Sequence, residues 1–514
     1  MVKVTARVKA GLLSGVVAIV VGFIAITSQS FWIDEANSAV KAMAPDITAF
    51  FGAMRDERGS DLQMPLYMLM LWVWEKIFGH SEFALRALNI PLFALALVFA
   101  ATFWRTTANT RIFFVIFACS SAFLWAYLDE ARPYILQFLG ATGCAIPLAN
   151  LAAASEPPET SDITLFAVGV LLLCGSSLFG VISSLWLCLA FLILAVESQR
   201  LPDFLARKDL RVAVSLSLPT LLLLGAYYWW TLSIGAKASS VGKTGLLNVA
   251  HAVYELAGMA GLGPGRGDLR ASPGAIVPFI PILTLYVCAM TLLISGGIFT
   301  EYRRGGIYQK RRLWLIFCII PTVVTLSTFA VGLFGEFRVV GRHLMPMLPF
   351  LFVLLSVTTG TLWMGALRTA GRTITGLAIL AMISSAVGYR ILERHAKDGY
   401  RTAAALARQT IGDGGVVWWA ADRSGAQYYG LGAIIQDAND FERTQEGDAF
   451  MVNSRDANYL ARLPAPSLVV LSKEDVYDRH GALRTYFLQN NFSPSNVFSA
   501  FTVWRPFSHL RPAE

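Results

Sequence analysis

Long apolar runs recur along this chain from residue 10 to about residue 390, and their length constrains the fold more than any other feature. A helix needs about 20 apolar residues to cross the hydrocarbon core of a bilayer, and most of the runs reach that length. Hydrophobic residues make up 55% of the 514 residues and charged residues only 15%, outside the range of ordinary soluble domains. The sequence therefore predicts a polytopic α-helical membrane protein with about eleven transmembrane helices. They are expected at residues 10–26, 83–104, 112–128, 134–153, two within 163–196, 212–234, 276–299, 313–334, 344–364 and 373–389.

Basic residues are concentrated in alternate loops between the predicted transmembrane helices. They precede the first run, at Lys3, Arg7 and Lys9, and they fill the connections "ESQRLPDFLARKDLR" and "EYRRGGIYQKRR". Cytoplasmic loops carry an excess of lysine and arginine, so the N-terminus and these loops are predicted to be cytoplasmic, in a plasma (inner) membrane. The same bias explains the net charge of +8 without a nucleic-acid partner.

Two segments outside the long runs have their own predicted structure. The apolar part of "MPLYMLMLWVWEKIFG", in the first outer loop, is about 14 residues long, too short to span, which favours an interfacial helix. The tail reads as helix, turn, buried strand, loop and helix over "YRTAAALARQTIGDGGVVWWAADRSGAQYYGL", with later strands in "PSLVVLS" and "FTVWRP". We predict a transmembrane catalytic domain at 1–390 and a small α/β extracytoplasmic domain at 391–514.

Three charged clusters lie on the non-cytoplasmic side of the predicted membrane topology. They are Asp34 with Glu35, then "YLDEARPY" with Asp129, Glu130 and Arg132, and finally "EFRVVGRH" with Glu336, Arg338, Arg342 and His343. For any one cluster, a solvated cap at the end of a span is an equally good interpretation. Three clusters on one face favour a site.

These residue types suit transfer of an activated group from a lipid phosphate to a hydroxyl. A carboxylate near the interface can accept the proton of the acceptor hydroxyl, as a general base does. Guanidinium groups bind a phosphate bidentately and stabilise the charge that grows on it as the bond breaks. The sequence supplies both on the same predicted side.

The stretches "FWIDEANSAV", "QMPLYMLMLWVWEKIFGHSEFALRALNIPLFALALVFA", "DEARPYILQF" and "GRHLMPMLPFLFVLLS" resemble a known family. In order and spacing they are similar to the integral-membrane GT-C glycosyltransferases related to protein O-mannosyltransferases and lipid A aminoarabinose transferases, over residues 10–390. The resemblance implies a GT-C fold and an inverting hexosyl- or pentosyltransferase. Its donor is a polyprenyl-phosphate sugar, used on the outer face.

The resemblance also implies roles for single residues. The family's catalytic acid after the first span matches Asp34, with Glu35 beside it, and the family's second acid corresponds to Asp129 or Glu130, which holds the acceptor or tunes the base. Relatives carry a basic residue or His with a Pro pair before the short aromatic helix, where this chain has "DLQMPLY", with Gln63 and Tyr67 as its substrate-loop candidates. The expected donor-phosphate ligands are Arg86, Arg132, Arg338, Arg342 and His343.

The acceptor and the cofactors are less defined. An envelope glycolipid such as lipid A, a polysaccharide or a protein Ser/Thr would all meet the same outer cavity. The six cysteines lie in apolar runs without metal-type spacing, so no cofactor is expected, although Asp34, Glu35 and Asp129 are oxygen ligands of the kind that hold a divalent cation. We expect a monomer. The alternative functions are a transporter or flippase of a lipid-linked sugar, which would carry charges in mid-span, and a non-catalytic assembly protein.

Overall fold

The computed structural model describes residues 2–154, 156–235, 244–304, 311–335, 338–365, 368–437, 448–452 and 457–507. Helices dominate this part of the chain. Up to residue 206 they are α1 (Val2–Ala25), α2 (Ile33–Ala42), α3 (Ile47–Glu57), α4 (Pro65–Phe78), α5 (Glu82–Ala87), α6 (Asn89–Phe103), α7 (Ala108–Cys119), α8 (Ala122–Leu128), α9 (Tyr134–Ala153), α10 (Thr160–Ser176), α11 (Leu178–Ser198) and α12 (Leu201–Ala206). They continue with α13 (Lys208–Ser233), α14 (Leu246–Leu256), α15 (Arg266–Ala271), α16 (Ile280–Arg303), α17 (Arg311–Phe334), α18 (Leu348–Trp363) and α19 (Arg368–Ile391). Short 3₁₀ turns lie at Ser60–Gln63, Pro273–Phe279, Gly341–Met347 and Glu393–His395.

The predicted spans correspond to helices. Among the described residues, nine helices are long and apolar enough to cross a membrane, and a tenth candidate is the pair α7 and α8, which bends by 58° at its break. The remaining predicted span falls on α10, a shorter apolar helix of 17 residues. The polytopic α-helical prediction is therefore confirmed. Interfacial placement of the 14-residue α4 stays a prediction.

The chain divides into two compact units. Unit 1 contains residues Met1–Thr27, Ile47–Gly79 and Phe83–His395, and unit 2 contains Ser28–Asp46, His80–Glu82 and Ala396–Glu514. Unit 2 therefore includes a segment from the first predicted outer loop, which the sequence-based boundary at residue 390 had assigned to the membrane domain.

Unit 1 is organised around α9. Every residue of α9 from Tyr134 to Ala152 is buried, and the helix packs against α6, α10, α11 and α18. By contrast, α13 presents its apolar side chains outward, with Leu216 73% exposed and Leu223 71% exposed. Exposed leucines along a span-length helix are those expected to face lipid.

Small residues allow α9 and α10 to approach closely. A Cβ atom added at Gly169 would lie 2.7 Å from the carbonyl oxygen of Gly140 and 2.9 Å from the backbone nitrogen of Cys144. Since these neighbours are backbone atoms, a side chain at this position would push the helices apart. This is the small-residue packing that membrane helices use in place of a hydrophobic driving force.

We expect Gly169→Ala to destabilise unit 1 by about 1 to 3 kcal/mol, because the added methyl overpacks a backbone contact. The midpoint of thermal unfolding in detergent measures this. Gly225→Ala, on α13, is the matched control, because a Cβ there meets nothing within 4 Å and alanine is the better helix former. Equal midpoints for the two variants would contradict the close contact.

Unit 2 contains a six-stranded sheet, with strands β1 (Val417–Ala420), β2 (Gln436–Asp437), β3 (Ala449–Met451), β4 (Leu468–Ser472), β5 (Phe492–Phe498) and β6 (Phe501–Pro506). The strand order is β2-β3-β1-β4-β6-β5. The first four strands are parallel, and β5 and β6 complete the sheet in antiparallel pairing. The helices of the tail are α20 (Tyr400–Gly412), α21 (Arg423–Tyr428), α22 (Ala457–Leu460), α23 (Glu474–Tyr477) and α24 (Ala482–Gln489).

The central strand β1 is buried on both faces, which explains its continuous apolar sequence. Trp419 packs with Tyr400 and Phe501 on one face, while Trp418 packs with Phe487 on the other. The α/β prediction for the tail is confirmed, including the strands in "VVWWA", "LVVLS" and "FTVWRP".

Candidate active site

Asp34 lies in the first turn of α2, in unit 2. The helix starts after Trp32, which has an extended backbone, and both Asp34 and Glu35 occupy the first turn. Carboxylates are stabilised there because the N-terminus of a helix carries partial positive charge. The Asp34 residue is half-buried, and its carbonyl accepts a hydrogen bond from Ser38 Oγ at 3.2 Å.

The neighbouring Glu35 has a different environment. It has no exposed surface, and its Oε2 lies 2.9 Å from Lys397 Nζ, which belongs to the same unit. A buried carboxylate is tolerated only when it is paired and hydrogen-bonded. Glu35 is therefore part of the interior of unit 2, whereas Asp34 keeps access to solvent.

A second set of contacts holds the residues just before α2. The backbone N–H of Phe31 donates to the hydroxyl of Tyr429 at 2.8 Å, and that hydroxyl lies 2.9 Å from Glu82 Oε1. Burial raises the pKa of Tyr429 to about 12, so its hydroxyl stays protonated and donates to Glu82. The hydrogen bond to Glu82 also raises the pKa of Arg401, which bonds the same carboxylate through Nε at 3.1 Å.

In unit 1, Asp129 and Arg86 converge on Thr27. Asp129 Oδ1 accepts from the backbone N–H of Thr27 at 2.6 Å, and Oδ2 accepts from its hydroxyl at 3.0 Å. Arg86 donates through Nη1 to the carbonyl of Thr27 at 3.0 Å, and its Nε lies 3.7 Å from Asp129 Oδ1. These contacts fix the chain where it leaves α1.

Arg132 makes a second buried ion pair of unit 1. Its Nη1 lies 2.6 Å from Asp61 Oδ1, and its Nη2 donates to Ser60 Oγ at 3.3 Å. The acid lies in the turn Ser60–Gln63, so this pair ties the turn to the "DEARPY" stretch. Of the two substrate-loop candidates that follow, Gln63 is half-buried and Tyr67 is fully buried.

Glu130 belongs to a third group in unit 1, centred on Arg266. Arg266 Nε lies 2.9 Å from Glu255 Oε1, its Nη1 lies 3.5 Å from Glu130 Oε1, and its Nη2 donates to the Tyr127 hydroxyl at 3.0 Å. One guanidinium thus serves two buried carboxylates.

The third predicted cluster is more accessible. Arg338 is exposed, and Arg342 is half-buried with its guanidinium carbon 5.9 Å from the centroid of the Tyr134 ring. His343 stacks on Phe179 with centroids 4.7 Å apart, and its Nδ1 accepts from the backbone N–H of Val340 at 3.2 Å. Glu336 lies outside the described residues.

These positions change the interpretation of two predicted phosphate ligands. The side chain of Arg86 has no exposed surface and that of Arg132 is 4% exposed, and each guanidinium faces a carboxylate. Contact of either guanidinium with a donor phosphate would require breaking its pair, and the phosphate-binding role of Arg86 and Arg132 stays a prediction. Among the described residues, no group of three His, Cys, Asp or Glu side chains is arranged to hold a metal ion.

Sequence reasoning missed several residues of these groups. Lys397, Asp61, Glu255 and Arg266 carried no motif of their own, and Arg266 lies in "GLGPGRG", which reads as a loop. Their partners are distant in sequence: Lys397 lies 362 positions from Glu35, and Arg132 lies 71 positions from Asp61. Of these pairs, the sequence had singled out Glu35, Glu130 and Arg132 but not their partners.

Comparison of the sequence with protein-family profiles and with curated proteins finds no match. Solved structures do match. ArnT from Cupriavidus metallidurans in the apo state aligns at 10% identity over 98% of this chain and 99% of that chain, with a TM-score of 0.51. The same protein bound to undecaprenyl phosphate aligns at 11% identity over the same shares, with a TM-score of 0.50.

The arabinofuranosyltransferase AftD from Mycobacteria aligns at 12% identity over 96% of this chain and 39% of that chain, with a TM-score of 0.46. At such low identity it is the fold that the ArnT comparisons establish. This chain has the polytopic GT-C membrane fold, with a helical membrane unit and a small C-terminal sheet region.

Proposed function

We propose that this protein is a membrane glycosyltransferase that moves a sugar from a polyprenyl-phosphate donor to a hydroxyl acceptor on the outer face of the membrane. The observation that carries the proposal is Asp34, a half-buried carboxylate on a helix whose adjacent carboxylate, Glu35, is fully buried and paired. Glu35 is thus part of the interior of unit 2, whereas Asp34 is accessible to solvent. The GT-C fold and the undecaprenyl phosphate of the ArnT structure support the donor class.

In the proposed reaction, Asp34 accepts the proton of the acceptor hydroxyl as the oxygen attacks the anomeric carbon of the sugar. The bond from that carbon to the phosphate oxygen breaks, and the electron pair leaves with the polyprenyl phosphate. Attack on the face opposite the phosphate inverts the anomeric carbon. Asp34 thus gains one proton, and the sugar exchanges one oxygen partner for another.

The leaving phosphate needs positively charged side chains that are accessible to it. Arg342 and Arg338 are half-buried and exposed respectively, unlike Arg86 and Arg132. Charge-assisted hydrogen bonds from guanidinium to phosphate are among the stronger polar contacts in proteins. We therefore assign the phosphate to Arg342 and Arg338. We assign Arg86 and Arg132 to holding Thr27 and the turn Ser60–Gln63.

The remaining acids receive supporting roles in the proposal. Asp129 holds Thr27 and Glu130 faces Arg266, so neither is the base. His343 stacks on Phe179 and accepts a hydrogen bond from the backbone N–H of Val340. We propose that it holds the segment that carries Arg342 and that it does not exchange a proton in the reaction. No divalent cation is required by this mechanism, since the guanidinium groups supply the positive charge.

Arg342→Ala and Arg338→Ala are each expected to weaken binding of undecaprenyl phosphate by about 10-fold or more, the value of a lost charge-assisted hydrogen bond. Binding is measured on protein in lipid nanodiscs. Arg211→Ala is the matched control, because this exposed arginine lies at the start of α13, in a predicted cytoplasmic loop. A loss of turnover without any loss of binding would show that the phosphate assignment is wrong.

The function itself is tested by turnover. Purified protein receives undecaprenyl phosphate carrying glucose, mannose, galactose or arabinose in turn. The acceptors are the glycolipid, polysaccharide and protein fractions of the envelope of a strain lacking the gene. Mass spectrometry is expected to find one acceptor that gains the mass of one sugar while undecaprenyl phosphate is released. If glycolipid, polysaccharide and protein fractions all stay unmodified with every donor, the proposal is overturned.

A further inference from the structure

We infer that Lys397 is a positioning residue for the reaction, which fixes the direction of the Asp34 carboxylate from the C-terminal part of the chain. The inference rests on the proposed function and deepens it. Residues Ser28–Asp46, called here the Asp34 segment, belong to the same compact unit as residues Ala396–Glu514. The C-terminal region is thereby part of the active-site machinery rather than an appended domain.

Lys397 holds the Asp34 segment at two points. Its Nζ lies 2.9 Å from Glu35 Oε2, and its backbone N–H donates to Gln29 Oε1 at 2.9 Å. The Glu35 side chain is fully buried and the Lys397 side chain is only 13% exposed, so solvent screens this pair little. Loss of the Lys397 charge removes this pairing from the buried Glu35 carboxylate, which favours rearrangement of the helix.

The ion pair acts on Asp34 through the geometry of the helix. Consecutive residues of an α-helix point about 100° apart around its axis, so the direction of Glu35 sets the direction of Asp34. With Glu35 drawn into the interior by Lys397, Asp34 keeps its half-buried position. Rotation of α2 that released Glu35 would carry Asp34 away from that position.

A second contact on α2 further restricts rotation of the helix about its axis. Ser424 Oγ donates to Asn37 Oδ1 at 2.6 Å, and Asn37 is three residues after Asp34, on the same side of the helix. Before the helix, the backbone N–H of Arg401 donates to Ser30 Oγ at 3.1 Å. The C-terminal region therefore contacts the Asp34 segment before, at and after the proposed base.

The test compares Lys397→Met with Lys397→Arg and with a matched control, Lys473→Met. Lys473 also forms an ion pair in unit 2, 2.6 Å from Asp398, with 18% of its side chain exposed. Within the part of the chain that the structure describes, its side chain makes no hydrogen bond or ion pair with α2. We expect Lys397→Met to lower kcat about 100-fold, the usual effect of misplacing a catalytic group by about 1 Å. KM for the donor should change less than threefold, and Lys397→Arg should recover most of kcat.

Hydrogen exchange of the amides of residues 33–42 gives a readout that needs no turnover. We expect faster exchange there in Lys397→Met and unchanged exchange in Lys473→Met. Faster exchange in a protein that transfers no sugar from any donor would sink the proposed function and leave the role of Lys397 in holding α2 intact. Wild-type exchange, or wild-type kcat in an otherwise active enzyme, overturns the inference.

A fallback keeps the test decisive if Lys397→Met does not fold. Glu35→Gln keeps the shape of the side chain and removes its charge, so no buried carboxylate is left unpaired. It is expected to fold and to lose kcat together with protection of residues 33–42. Wild-type values of both quantities in Glu35→Gln overturn the inference.

Discussion

Replacing Asp34 by asparagine is expected to abolish sugar transfer while leaving the protein folded and able to bind undecaprenyl phosphate. Asparagine matches aspartate in shape but cannot accept the proton of the acceptor hydroxyl. Loss of a general base costs about 100- to 10,000-fold in rate. The half-buried position of Asp34, at a helix start, tolerates the neutral amide, since asparagine is favourable near helix N-termini.

Asp413→Asn is the matched control for this variant. Asp413 is an exposed residue at the end of α20, in the same unit as Asp34. Its substitution replaces the same carboxylate by the same amide, but away from the proposed site. Turnover is measured with the donor that the wild-type protein uses, and binding of undecaprenyl phosphate is measured in parallel. Wild-type turnover in Asp34→Asn would refute Asp34 as the base, even if transfer itself is real.

The membrane fold could be predicted from sequence because its physical cause is local. A transmembrane helix must contain about 20 apolar residues in a row, so each apolar run in the sequence predicts one helix without reference to the rest of the chain. The departures are at α7 and α8, where an apolar run bends by 58°, and at α10, which has only 17 residues. The tail strands "VVWWA" and "LVVLS" could also be predicted from the sequence, because strands buried on both faces are continuously apolar.

The strands that the sequence missed lack that local cause. Strand β2 has two residues and β3 has three, and β5 has a polar sequence that contains Pro494. Such strands form because a neighbour is already in place: among the described strands, β2 pairs only with β3, and β5 pairs only with β6. Their pairing depends on tertiary context, which outweighs intrinsic strand preference.

Only part of the candidate site could be predicted from the sequence, for a similar reason. An acid directly after a span has a local signal, and this singled out Asp34, Glu35 and Asp129. Whether an arginine contacts a ligand or a buried carboxylate depends on a partner elsewhere in the chain, as with Arg132 and Asp61 or Arg86 and Asp129. Spacing therefore gave Arg86 and Arg132 the same predicted role as Arg342, although their burial differs.

Replacing Arg132 by methionine is expected to cost about 3 to 5 kcal/mol of unfolding free energy, because it leaves the Asp61 carboxylate buried without its partner. The pair is 2.6 Å long, with side chains only 4% and 2% exposed. The control is Arg55→Met, which breaks the exposed pair with Asp56, 65% and 70% exposed, and should leave the unfolding midpoint unchanged because solvent screens that pair.

The double variant Arg132→Met with Asp61→Val separates a structural role for Arg132 from a phosphate-binding role. Removing both charges leaves no buried ion, so most of the lost stability should return, as it does when buried ion pairs are replaced by apolar residues. If Arg132 only ties the turn Ser60–Gln63 to the "DEARPY" stretch, the refolded double variant binds undecaprenyl phosphate like the wild type. A double variant that recovers its unfolding midpoint but has lost this binding would instead make Arg132 a phosphate ligand.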